Sequence, residues 1–125
     1  DNALTTSGES TADLHIFEIG AAVEQFLVDI STDNSTWISL GGAISGQPTS
    51  VDIDGVAGVV SGELYRYVRI TDNGASGPHS GVFAGADIDA VGAISTVQAP
   101  AVPLPATGLL LLAGLGGLTA LRRRG

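Results

Sequence analysis

The sequence predicts an all-β chain, a jelly-roll-like antiparallel β-sandwich, followed by one C-terminal hydrophobic helix of the transmembrane type. Three observations predict it. Short segments before residue 100 alternate apolar and polar residues, and none carries a helical apolar period. The 18 Gly, with abundant Ser, Thr, Asp and Asn, fall between those segments as turn chemistry. An apolar run near the end closes on three consecutive Arg.

In chain order, residues 1–11 are polar and read as a loop or frayed end. Leu14 to Ile19 makes a short strand stopped by Gly20, and Glu24 to Ser31 alternates with Phe26, Val28 and Ile30 on one face. Asp33-Asn34-Ser35 supplies a turn into a strand at Thr36 to Leu40, a hairpin signal. Ser50 to Ile53 is a brief strand ended by Asp54-Gly55. Tyr65 to Thr71 is the strongest strand, with Arg66, Val68 and Ile70 on one face and Tyr65, Tyr67 and Arg69 on the other. Asp87 to Ser95 is the last, with Ile88, Ala90 and Ile94 expected on one side. These are six strands, whereas a jelly roll has about eight, which leaves room for one or two upstream of Asp1. Three parts follow: a β body over 1–97, a Pro-rich linker and motif over 98–105, and a hydrophobic helix with an Arg tail over 106–125.

Charge narrows the function. All 13 acidic residues precede Pro105, leaving the body at −11 with two Arg and no Lys. This argues against nucleic acid as a partner, since no basic footprint meets the phosphates. The absence of Cys removes disulfides, thiolate metal sites and Cys nucleophiles. No basic-then-apolar leader opens the sequence, so a secretory signal is read as removed or lying outside it.

Residues Leu109 to Leu121 leave no polar face, which argues against a buried helix of a soluble domain. As a helix they reach about 20 Å against a hydrocarbon core of about 30 Å. Including Ala106 to Gly108 and snorkelling Arg side chains brings the run near a marginal span, suited to a transient stop more than a permanent anchor. Arg122, Arg123 and Arg124 are expected to stay cytoplasmic, with the β body outside.

Val102-Pro103-Leu104-Pro105-Ala106, the apolar run and the Arg cluster together resemble the VPLPA variant of the PEP-CTERM sorting signal, over all of the last 24 residues. The resemblance implies an exosortase-type membrane peptidase as partner, transient inner-membrane anchoring, and delivery to the surface of a Gram-negative bacterium that makes extracellular polysaccharide. Leu104-Pro105-Ala106-Thr107-Gly108 also satisfies LPxTG, the sortase motif of Gram-positive cell walls. The full VPLPA match and the all-Arg tail favour the exosortase reading.

The body shows no catalytic pattern. His15 and His79 are the available bases, no GxSxG elbow occurs, and both His are read as structural or solvent-exposed, so the chain is taken as not an enzyme. Its carboxylates suit another use. Asp52 and Asp54, Asp72, and Asp87 and Asp89 each stand at a strand end beside Gly. Ca²⁺ takes about six to eight oxygens, and turn loops offer carboxylates and carbonyls together. These five Asp form the candidate structural Ca²⁺ set, with ordinary solvated turn acids as the competing reading. The DxDG spacing is too short for an EF-hand loop.

The segments FEIG, VEQFLVDISTDNSTWISLG, YRYVRITD and GADIDAVGAI, spanning Leu14 to Ser95, resemble the secreted β-sandwich domain of PEP-CTERM-type proteins, similar in style to discoidin and galactose-binding jelly rolls. That resemblance implies a sandwich with Ca²⁺ at acidic loops. Trp37 is read as a core residue, with sugar stacking as the alternative. The expectation is an exported, non-catalytic binding or structural protein associated with exopolysaccharide. The alternative is a self-assembling filament or layer subunit.

Overall fold

The computed structural model describes residues 2–20, 22–74 and 85–98. The expected hydrophobic helix, the expected sorting motif at residues 102–106, the Arg cluster and His79 lie outside the described residues. Within them the chain is all-β, with antiparallel pairing throughout. The strands are β1 Asn2–Leu4, β2 Leu14–Glu18, β3 Phe26–Ser31, β4 Ile38–Ser39, β5 Thr49–Val51, β6 Tyr67–Asp72, β7 Ile88–Ala93 and β8 Thr96–Gln98. They form two three-stranded sheets, ordered β5-β2-β7 and β4-β3-β6, and a two-stranded pair, β1-β8.

Period-two alternation decides which side chains form the core. In β2 it turns Leu14, Ile16 and Glu18 inward; in β3 it turns Phe26, Val28 and Ile30 inward. Leu14, Ile16, Phe26 and Ile30 are wholly buried, and Leu4, Ile53 and Tyr65 join them in one cluster drawn from both three-stranded sheets. Each such side chain contributes about 1.5–3 kcal/mol through removal from water.

Four expectations about the strands change. Residues 2–4 are not frayed: Asn2–Leu4 pairs with β8, and Ala3 and Leu4 are core residues, so a three-residue strand too short to show a period is fixed by its distant partner. β8 carries the body through Gln98, the residue at which the linker was expected to start. Tyr65 leaves the face of Tyr67 and Arg69. It bridges to Leu4 instead of continuing β6, lies buried at 2% exposure, and accepts the Val60 N–H at its hydroxyl (2.9 Å). In β7 a bulge opposite Phe17 and Glu18 reverses the parity. Ile88 pairs with Glu18 and packs on the core, whereas Ala90 pairs with Phe17, and Asp89 is the extra residue between them.

The β3–β4 turn is built by Asp33. Its Oδ1 accepts the Ser35 and Thr36 N–H groups, both at 2.8 Å, and the Ser31 hydroxyl at 3.1 Å. These donors, led by Thr36, hold the carboxyl well below the usual carboxylate range. Asn34 takes the left-handed conformation the turn requires, with φ 63°. Trp37 is not a core residue. It is half-buried, with the Arg69 guanidinium 4.3 Å from its ring centroid, and Arg69 also pairs with Asp29 at 2.9 Å. The partner it finds is a cation on the outer face of the β4-β3-β6 sheet, a contact that a Trp after a turn does not advertise.

Candidate metal centre

Two of the predicted Asp come together with a third that the sequence reading missed. Asp13, Asp52 and Asp54 each present a carboxylate oxygen within 4.8 Å of the others, the one such acidic trio among the described residues. The local fold explains the meeting. Asp13 immediately precedes β2 and Asp52 immediately follows β5, strands that pair antiparallel with Leu14 opposite Val51. The Asp13 N–H closes that ladder on the Val51 carbonyl at 2.9 Å. Asp54 then folds back over Asp52, its N–H donating to Asp52 Oδ1 at 2.8 Å.

Asp13 anchors the trio. It is wholly buried, and both of its carboxylate oxygens are engaged: Ser7 N–H donates to Oδ1 and Ile53 N–H to Oδ2, each at 3.0 Å. Its carbonyl accepts the Ile94 N–H at 2.7 Å, tying in the end of β7. Burial alone would raise the carboxyl pKa, but donors from the Ser95 side chain, Ile53 and Ser7 outweigh it and hold the value below 3.8. Asp13 is therefore a resident anion at neutral pH. Asp54 Oδ2 accepts from the Ser7 hydroxyl and the Gly8 N–H, both at 2.9 Å, so residues 7 and 8 lie across the trio. Three carboxylates with a serine hydroxyl beside them form an all-oxygen, hard donor set, the chemistry that suits Ca²⁺ over softer metals.

The other predicted ligands stand elsewhere. Asp72 ends β6 and Asp87 precedes β7, at the end of the molecule where β2 finishes rather than where it begins. Asp72 Oδ1 accepts the Gly74 N–H at 3.1 Å. Its Oδ2 lies 2.9 Å from where a side chain on Gly85 would begin, and Gly85 has φ 133°. Asp87 is exposed, with Oδ2 3.2 Å from the corresponding point on Gly20. Asp89 occupies the β7 bulge, exposed. The five Asp thus divide between two ends.

Sequence reasoning also passed over two buried acids. Glu18 and Glu24 are each 4% exposed, and the Glu24 N–H donates to Glu18 Oε1 at 3.1 Å. Glu18 Oε2 and Thr5 Oγ1 are the buried side-chain oxygens without a hydrogen-bond partner among the described residues.

His15 stands on the other side of β2, its Nδ1 2.7 Å from Ser50 Oγ and its ring edge-on to Phe17 at 4.6 Å between centroids. A Ser–His pair needs a third group to orient the base; among the described residues no carboxylate is bonded to the His15 ring. Compared with protein-family models, curated proteins and solved structures, the chain finds no match.

Proposed function

We propose that this chain is an exported, non-catalytic protein of the bacterial surface or extracellular matrix. Its β body, a jelly-roll-like antiparallel sandwich, is sorted by an exosortase-type C-terminal signal and works in contact with exopolysaccharide. The observation that carries this reading is the order of the last 24 residues: the Val102 to Ala106 motif, the apolar run from Leu109 to Leu121, then Arg122 to Arg124. A cation-flanked apolar stretch halts in a bilayer with its Arg on the cytoplasmic side, which leaves the acidic body outside.

The body supports the assignment in two ways. It is an all-β unit whose apolar side chains close on a single cluster, as a cysteine-free external domain of this size requires. Its acidic trio of Asp13, Asp52 and Asp54 is a fitting seat for a structural Ca²⁺ in a calcium-rich exterior.

Mass spectrometry of the mature C-terminus in the native host tests the sorting step. The expected result is loss of the residues after the Pro-Ala motif, in a fraction released from the inner membrane. A cut between Thr107 and Gly108 with attachment to cell-wall peptide would instead favour the sortase reading, which residues 104–108 satisfy as a pattern. An intact C-terminus in a cytosolic fraction would overturn both.

A further inference from the structure

The inward position of Glu18 is the starting point. β2 alternates so that Leu14, Ile16 and Glu18 share the core side, and the first two are fully buried. An apolar residue is the ordinary occupant of such a position. Glu18 instead brings a carboxylate to the edge of the core at 4% exposure, where Oε1 has the Glu24 N–H and Oε2 has no donor among the described residues. A buried carboxylate oxygen without a partner is unfavourable, and a donor, a proton or a cation relieves it.

Among the described residues no cation is placed to meet it. The body has no Lys, and of its two Arg, Arg69 is held by Asp29 while Arg66 precedes β6, at the far end of that strand from Asp72. Two further acids belong to the same end of β2. Glu24, equally buried, ends the turn that leaves β2. Asp87 is drawn beside the same turn because its carbonyl accepts the Ile19 N–H at 2.9 Å. Gly20, with φ 127° and no side chain, lets the Asp87 carboxylate lie against the backbone. The carbonyls of Gly20 and Ala22 converge on the Gln47 side-chain amide at 3.4 and 3.1 Å, so the turn gathers neutral oxygen donors as well.

We infer that Glu18, Glu24 and Asp87 form a second divalent-cation site of the calcium type, at the opposite end of β2 from Asp13. The unpartnered Glu18 Oε2 is its fixed ligand. The three carboxylates stand farther apart than those of the Asp13 trio, so binding includes a rotation of the exposed Asp87 side chain toward Glu18. Asp72, against Gly85 at the same end, adds negative field without needing to touch the ion.

The test is a Ca²⁺ titration of the full chain in detergent micelles after chelator treatment, by calorimetry and native mass spectrometry. Wild type is expected to take up two equivalents. Glu18→Gln is expected to take up one, and a paired Asp52→Asn, Asp54→Asn variant the other one. Asp87→Asn, which leaves the core untouched, is expected to weaken the second equivalent at least tenfold and covers the case in which Glu18→Gln fails to fold. Two equivalents retained in Glu18→Gln, or unchanged affinities in Asp87→Asn, would overturn the second site while leaving the Asp13 site standing. Loss of one equivalent in Glu18→Gln with none lost in the paired Asp variant would do the reverse.

Discussion

Replacing Asp13 with alanine removes the acceptor for two backbone donors at once, Ser7 N–H and Ile53 N–H, each 3.0 Å from the carboxylate, at a residue with no exposed surface. An orphaned buried donor costs about 1–3 kcal/mol, and bonds to a charged acceptor lie toward the upper end. The Ser7 donor is only partly buried and takes the lower figure. The expected loss is therefore about 4 kcal/mol for Asp13→Ala, and about 2 kcal/mol for Asp13→Asn, which keeps one acceptor oxygen. Against a total of about 5–15 kcal/mol, the alanine variant should be close to unfolding at 37 °C. Guanidinium chloride unfolding at pH 7, with chelator present so that any ion contribution is absent from both proteins, measures it. The pH dependence has a fixed sign. Because the folded-state pKa is held below 3.8, the stabilisation is fully present above that value and is lost as pH falls through the lower folded value. Asp13→Asn should abolish this part of the acid sensitivity. A loss under about 1 kcal/mol for Asp13→Ala, or an unaltered acid limb in Asp13→Asn, would refute the claim that these bonds hold the β2–β5 end together.

Chelation of Ca²⁺ should lower the melting temperature by about 10 °C for each ion held at a hundredfold its Kd, so the drop should be smaller by about that amount when Asp52 and Asp54 are both Asn; differential scanning calorimetry reads both. Gly85→Ala places a methyl 2.9 Å from Asp72 Oδ2 at φ 133°, and should cost about 1–3 kcal/mol in a denaturant melt. Ile30→Ala, at a fully buried position in β3, should cost about 2–5 kcal/mol by the same measurement. Arg69→Ala should cost only about 1 kcal/mol, since the guanidinium is 47% exposed and its pairing with Asp29 is screened, but it should shift Trp37 fluorescence to the red.

The fold class was legible because β2, β3 and β6 each hold a clean two-residue period over five or six residues, long enough to set a face. What was not legible are the places where a distant partner overrides the local pattern. Asn2–Leu4 has three residues and no period, and becomes a strand only because Thr96–Gln98 pairs with it. Tyr65 belongs to the apparent run of β6, yet its bridge is to Leu4. The parity of β7 fails at Asp89 because a bulge is a property of two strands, and one sequence segment cannot announce it.

The candidate site shows the same limit more sharply. Read along the chain, the Asp-Gly turns at residues 52–55, 72–74 and 85–89 look equivalent, and loops at one edge of a sandwich could pool them around one ion. The register forbids it. Asp13 stands at the start of β2 beside Asp52, and Glu18 at its end beside Asp87. Five steps at about 3.3 Å separate these positions by about 17 Å. The oxygens of one Ca²⁺ lie 2.3–2.6 Å from it, hence within about 5 Å of each other. No ion can serve both ends, and the acidic turns fall into two groups for a reason that only the pairing of β2 with β5 and β7 supplies. One sign was nevertheless present in the sequence. The period that marks Leu14 and Ile16 as core positions marks Glu18 as a third, and a carboxylate at a core position is itself a demand for a partner.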